Sequence, residues 1–171
     1  MNRAPALTLW AAVVAEALGR PEDTALTLGS AVAGTAAQAK VGRPGTRRPS
    51  PGAGIGGGDP PGPGSAACGV RLLGREIAVT PAAGGLFAAA GADGRPQAAA
   101  AMRRYLDRAF GARLTEARDA MRRLAASLPP EDLDRRGLRL YDAFRPEVPE
   151  DGAGKGRLGR LHLDRIAAAG G

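Results

Sequence analysis

The sequence predicts a mainly α-helical protein, and three observations support that class. Apolar residues recur every three or four positions over several long stretches, as on one face of a helix. A proline followed by acidic residues marks two helix starts, at Pro21 and at Pro130. The one region with the composition of strands is short, so we expect only a small β-hairpin near residues 70–90.

Residues 1–41 are predicted to form a helical hairpin. Its first helix covers Pro5 to Leu18, and its second helix extends to about Lys40. Gly29 and Ala33 lie four residues apart in the second helix and allow another helix to approach closely. The apolar face of the first helix consists of Trp10, Val13, Val14, Ala17 and Leu18. The hairpin also resembles a helix-turn-helix, but its second helix lacks the long polar side chains that read base edges.

The N-terminal stretch shares some features with a signal peptide. Arg3 precedes an apolar run that ends in the small-residue box Ala15-Glu16-Ala17. The charge of Glu16 inside that box favours an amphipathic helix instead. A single cysteine, Cys68, excludes an internal disulfide framework and suits a reducing cytoplasm. The sequence has no run of eighteen apolar residues, so we expect no transmembrane helix.

Residues 42–69 are mostly glycine and proline, and we predict a disordered linker or loop there. The stretch contains a G-x-G-x-x-G match at Gly52, Gly54 and Gly57. We discard a dinucleotide site because neither a strand before the match nor a helix after it is predicted. The third unit, residues 70–171, begins with the β-hairpin region, where Val70 to Val79 predicts either two short strands around Gly74 or one bulged strand.

The strongest pattern in the chain is a long amphipathic helix that begins after Pro96. Its apolar seam steps by three or four residues through Met102, Leu106, Phe110, Leu114, Ala117, Met121, Leu124 and Leu128. Gly111 is a candidate kink, and Pro129 ends the helix. The following helix buries Leu133, Leu140, Tyr141 and Phe144.

A glycine-rich tail follows the last of these helices. Arg145 stands before Pro146, and that position disfavours the helical conformation, so the helix is expected to end there. The glycines between residues 152 and 159 predict a flexible connection, and "LHLDRI" predicts either a short closing strand or a final helical turn. "GAGKGR" is not a phosphate loop, because Gly156 replaces the serine or threonine required after Lys155.

The positive charge is unevenly distributed along the chain. The formal net charge is +7, and residues 96–129 carry seven arginines against three acidic residues. Four of these arginines cluster on the long helix opposite the apolar seam: Arg104, Arg108, Arg118 and Arg122. Such a stripe is able to contact phosphates. A solvated helix face, partly paired with Asp107 and Asp119, is favoured because no aromatic residues for base stacking lie between the arginines.

No arrangement of residues in the sequence indicates catalysis, and no cofactor or metal site is predicted. His162 is the only histidine, and Cys68 has no spaced companion, whereas a metal site requires several such ligands. The remaining enzymatic hypothesis is a site assembled by the fold near the glycine-rich tail, around Arg145, Lys155 and His162.

Three segments resemble a small uncharacterised bacterial protein family. These are "LTLWAAVVAEALGRPEDTALTLGSAVAG", "RRYLDRAFGARLTEARDAMRRLAASLPPEDL" and "LYDAFRPEVP" followed by a glycine-rich stretch and "LHLDRI". Together they cover half to two-thirds of the chain. The resemblance implies a helical layout and no known activity.

The sequence therefore favours a non-enzymatic interaction or regulatory protein. Aromatic residues make up only 4% of the chain and much of the apolar content is alanine, so we expect a protein partner or a second copy to complete the packing. The first alternative is nucleic-acid binding without sequence specificity through the four arginines. The second alternative is the enzyme with a site near the tail.

Overall fold

The structure is a computed structural model, and it describes residues 3–41, 68–148 and 159–170. Its elements in chain order are α1 (Ala4–Ala17), α2 (Glu22–Val41), β1 (Cys68–Leu72), β2 (Arg75–Pro81), β3 (Phe87–Ala89), α3 (Ala99–Phe110), α4 (Leu114–Ala126), α5 (Pro130–Phe144) and α6 (Leu163–Ala168). This confirms the mainly α-helical class. None of the helices in the described ranges combines the length and hydrophobicity needed to cross a membrane.

Helix α1 is the centre of the fold. Every residue from Pro5 to Ala15 is buried, because α2, α3, α4 and α5 all contact this helix. A helix that is apolar on all sides belongs in a core rather than at a surface. The prediction of a single apolar face is therefore wrong for α1, and its supposed member Ala17 is exposed.

The predicted close approach between the first two helices is confirmed at Gly29. A Cβ atom added there would overlap the carbonyl oxygen of Thr8 and would lie 3.2 Å from Ala12 Cβ. The neighbouring Ala33 is also buried. Only a residue without a side chain allows α1 and α2 to meet at this distance.

The strand region forms a three-stranded antiparallel sheet in the order β1-β2-β3, one strand more than the predicted hairpin. Leu73 and Gly74 join β1 to β2 with φ angles of 53° and 70°, the positive values typical of a two-residue hairpin turn. Strand β1 begins at Cys68, which is paired with Val79. The predicted linker boundary at residue 69 is therefore wrong by two residues, and residues 42–67 lie outside the described ranges.

Two threonines of α2 attach the edge of the sheet to the helical hairpin. Thr24 Oγ1 donates a hydrogen bond of 2.6 Å to the carbonyl oxygen of Phe87. The Ala89 backbone N–H donates a hydrogen bond of 3.1 Å to Thr27 Oγ1. Both threonines are buried, so this stretch of α2 faces the sheet and is not available to enter a DNA groove.

The predicted long helix is present with a break at the predicted kink. Gly111 adopts φ 56° and ψ −136°, which is outside the helical region, and a short 3₁₀ turn over Gly111–Arg113 joins α3 to α4. The apolar seam predicted from Met102 to Leu128 packs against the core along both helices. The two halves of the seam thus belong to separate helices.

Helix α5 closes the core with an aromatic cluster. Phe144 makes edge-to-face contacts with Trp10, at a centroid distance of 5.4 Å, and with Tyr141, at 5.7 Å. Trp10 Nε1 donates a buried hydrogen bond of 2.8 Å to the carbonyl oxygen of Gly137. The predicted buried side of this helix is confirmed, since Leu133, Leu140, Tyr141 and Phe144 are all buried.

In the C-terminal segment, residues 159–170, "LHLDRI" forms the final helical turn, one of its two predicted alternatives, and an isolated bridge precedes it. Glu147 and Arg160 exchange two backbone hydrogen bonds, of 3.0 and 2.9 Å, in an isolated antiparallel bridge. The chain then forms α6, whose Ile166 is completely buried. Because one cluster of buried residues includes members from residues 6 to 166, the predicted hairpin and C-terminal units share a single core.

Candidate interaction surface

Two of the four predicted arginines are ion-paired to the corner between α1 and α2. Arg118 Nη2 lies 2.6 Å from Glu16 Oε1 and 3.1 Å from Glu22 Oε1. Arg122 Nη2 lies 2.8 Å from Glu16 Oε2. The structure therefore brings Arg118 and Arg122 together, but it places them against carboxylates rather than leaving them open.

The ionisation of this corner follows from those contacts. The hydrogen bond from Arg118 holds the pKa of Glu22 below its ordinary value of 4.5, against the opposing effect of burial. Burial lowers the pKa of Arg118, and the hydrogen bonds with Glu16 and Glu22 outweigh that effect and raise it. Arg103 also contacts Glu22 and Asp23. The cluster stabilises the fold by joining α3 and α4 to the first hairpin.

The other two predicted arginines remain exposed. Arg104 and Arg108 lie on α3, and neither forms an ion pair with any residue that the structure describes. The break at Gly111 separates them from Arg118 and Arg122. The four residues consequently form an exposed pair and an ion-paired pair, not one continuous stripe.

Arg145 and His162, two of the three residues of the enzymatic hypothesis, have separate ion-pair partners. Arg145 pairs with Asp142 at 3.6 Å, and His162 Nε2 lies 3.6 Å from Glu147 Oε2. Lys155 lies outside the described residues. Arg165 Nη1 lies 2.7 Å from Glu147 Oε1, and its charge lowers the pKa of this carboxyl. These contacts attach the C-terminal segment to the end of α5.

The residues described by the structure contain no group of three histidine, cysteine or acidic side chains able to hold a metal ion. Cys68 is an exposed free thiol at the start of β1. The contact of His162 with Glu147 gives this histidine a structural role in attaching the C-terminal segment. The cofactor and metal predictions concern absences and stay predictions.

A groove with a volume of about 510 Å³ lies between α4 and α6. It is lined by Glu116, Ala120, Arg123, Leu124, Ser127, Leu163, Ala167 and Gly170. We call it the α4/α6 groove. Its floor is continuous with the core, because Ala120 and Leu124 are both part of the buried cluster. Its opposite rim consists of small, exposed residues, Ala167 on α6 and Gly170 just after that helix.

The two helices of the groove run side by side in the same direction. At one end, Leu163 shares a small cavity with Arg113 and Ala117. At the other end, a Cβ atom added at Gly170 would lie 3.0 Å from Leu124 Cδ1 and 3.0 Å from Ser127 Oγ. The open side is therefore an elongated channel between two helices, the shape that accepts a third helix.

Opposite charges stand at the two ends of the α4 side of the groove. Glu116 and Arg123 are seven residues apart, which is two helical turns, so both point to the same face. Both are exposed, and neither has an ion-pair partner among the described residues. The sequence analysis did not single out either residue. The spacing of positions 116, 120, 123 and 127 is the signal that identifies this face.

Two other grooves have features that make them weaker docking surfaces. One of about 390 Å³ lies between α1, α4 and α5, where the paired Glu16 and Arg122 form part of its wall. The other, of about 310 Å³, is lined in part by Phe87, which is 50% exposed. Asp23, the charged residue in that lining, is already paired with Arg103.

Comparison of the chain with protein-family models, with curated proteins and with solved structures finds no match. The resemblance to a small bacterial family therefore stays a prediction.

Proposed function

We propose that the protein is a non-enzymatic helical interaction module that receives a helix in the α4/α6 groove. The observation that supports this proposal most directly is an open apolar channel between two parallel helices with unpaired charges on one wall. A helix laid in such a channel would bury its apolar face on Ala120 and Leu124. The acidic clusters around Glu16 and Glu147, by contrast, are already engaged in ion pairs that join elements of the fold.

The test compares two substitutions on neighbouring residues of α6. Ala167→Arg places a long charged side chain on the groove, whereas Ala168→Arg adds the same side chain to an exposed residue that does not line it. Wild type and both variants are purified from cells that also express an untagged copy of the chain. Co-purifying proteins are then quantified by mass spectrometry.

We expect at least one protein, the untagged copy included, to be lost with Ala167→Arg and retained with Ala168→Arg. Identical sets of proteins with wild type and both variants would contradict the proposal. Circular dichroism of each variant verifies that the helical content is unchanged, so that loss of a partner reports on the groove. We also propose a cytoplasmic location, supported by the exposed free thiol of Cys68, which cell fractionation tests directly.

A second candidate function is nucleic-acid binding without sequence specificity, supported by the exposed and unpaired Arg104 and Arg108. Two arginines one helical turn apart can contact successive phosphates, and such binding weakens steeply as salt rises. Fluorescence anisotropy with labelled duplex and single-stranded oligonucleotides measures it. Loss of binding in the double alanine variant, but not in Arg139→Ala on α5, supports this function. Absence of binding at low salt excludes it.

A further inference from the structure

The occupant of the α4/α6 groove follows from the order of charges along its wall. We infer that a second copy of this chain docks there, its α4 lying antiparallel along the α4 side of the groove, across a two-fold axis near Ala120. The inference rests on the proposed function and specifies its partner. It is supported by the charge pattern and by the small residues at the contact.

The charges are self-complementary. The midpoint between Glu116 and Arg123 lies between residues 119 and 120. Rotation about a two-fold axis at this point reverses the direction of the helix and brings Arg123 of each copy opposite Glu116 of the other. The two charges lie about 10 Å apart along α4. One symmetric contact therefore forms two equivalent ion pairs, as an isologous interface requires.

Between these charges α4 lines the groove with the small residue Ala120, which lies near the proposed axis and allows the helices to come close. Ala167 of α6 and Gly170, which follows that helix, form the opposite rim. Small side chains at a crossing point permit short distances between helix axes. The apolar side chains of Leu124 and Leu163 border the same channel and would lose their remaining contact with water.

A parallel arrangement of the two α4 helices would not bring opposite charges together. It would place Glu116 beside Glu116 and Arg123 beside Arg123, and like charges at an interface are unfavourable. A helix from a different protein would need an acidic and a basic residue at this same spacing. A second copy carries them in the required order by construction.

Sedimentation velocity of the full chain over a wide concentration range tests the inference with charge exchanges. The wild type is expected to form dimers in a concentration-dependent manner. Glu116→Arg and Arg123→Glu each bring like charges together twice per dimer, and each should raise the dissociation constant at least about tenfold. The double variant E116R/R123E restores both pairs and should recover dimerisation.

A mixture of the two single variants provides the most specific result. One variant then carries two basic residues at these positions and the other carries two acidic ones, so the mixture is expected to form heterodimers although neither variant dimerises alone. Matched controls on α3 are Asp107→Arg and Arg104→Glu, which change the net charge by the same amounts on exposed residues outside the groove. The controls should leave dimerisation unchanged.

Three outcomes would overturn the inference. These are a wild type that stays monomeric at every concentration, single variants that dimerise as the wild type does, and a double variant that remains monomeric. A dimer lost with Phe87→Ser but not with the charge exchanges would place the contact at the other groove, and would equally refute it. A monomeric wild type that loses a different partner with Ala167→Arg would refute the second copy and leave the proposed function standing.

Discussion

Replacing Gly29 with alanine tests the helix contact at the centre of the fold. The added Cβ atom would overlap the carbonyl oxygen of Thr8 and would lie 3.0 Å from the backbone nitrogen of Ala12. Both are backbone atoms of a buried helix, so they cannot rotate away as the end of a side chain can. Helices α1 and α2 must therefore separate locally to accommodate one methyl group.

Two opposing effects determine how much Gly29→Ala changes the free energy of unfolding. Overpacking a core costs about 1–3 kcal/mol, and contact with backbone places Gly29 at the upper end of that range. Alanine recovers about 1 kcal/mol of helix propensity relative to glycine. The free energy of unfolding should thus fall by about 2 kcal/mol. For a chain of this length, that loss lowers Tm by about 4–8 °C.

Gly34 provides the matched control in the same helix. It is exposed, and a Cβ atom added there meets nothing within 4 Å. Gly34→Ala should therefore gain about 1 kcal/mol from helix propensity alone. Thermal and urea unfolding followed by circular dichroism measure both variants. A Gly29→Ala variant as stable as the wild type, or a Gly34→Ala variant shifted in the same direction, would refute the reasoning.

The remaining predictions concern the core, the acidic corner and the C-terminal segment. Trp10→Phe should lower the free energy of unfolding by about 1–3 kcal/mol, because it removes the buried hydrogen bond to the Gly137 carbonyl; urea titration measures the loss. The lowered pKa of Glu22 stabilises the fold above its ordinary value of 4.5, and that stability is lost as pH falls through the lower value of the folded state. Arg118→Gln should consequently move the midpoint of acid unfolding to a higher pH, as followed by circular dichroism. Ile166→Ala should cost about 2–4 kcal/mol, because this side chain is completely buried; thermal unfolding measures it.

Two of these predictions have a matched control in the chain. Arg104→Gln removes an exposed, unpaired arginine and should leave the acid midpoint unchanged. Leu163→Ala truncates a side chain that is only partly buried and should cost less than Ile166→Ala. A Trp10→Phe variant with wild-type stability would show that the hydrogen bond to Gly137 contributes nothing. An Arg118→Gln variant that unfolds at the same pH would contradict the origin assigned to the Glu22 shift.

Local signals in the sequence predicted the helices well. The starts at Pro21 and Pro130, the break at Gly111 and the buried face of α5 all depend on residues within one or two helical turns. The strand boundary at Cys68 was missed because glycine and proline dominate the preceding residues and conceal where pairing with β2 begins. The third strand was missed because it is short and pairs partly through threonines of α2.

Long-range contacts explain why the candidate site was less predictable. Arg118 lies 102 residues after Glu16 in the chain, so no local pattern indicates that the two side chains meet. The predicted stripe placed all four arginines on one face of the long helix, whereas the break at Gly111 divides them and the first two helices supply acidic partners for Arg118. The α4/α6 groove depends on how the C-terminal segment returns to α4, and that path is set by the fold rather than by periodicity.

The central claim is that the α4/α6 groove binds a helix of another molecule, and backbone amide NMR of the full chain at increasing concentration tests it most directly. The amide signals of residues 116–127 and 163–170 should shift together as concentration rises. Signals from β1 and β2, far from the groove in the chain and in the contact pattern, should remain in place. Shifts confined to the sheet and Phe87 would contradict the claim. So would signals that do not change with concentration, if Ala167→Arg and wild type also co-purify with identical partners.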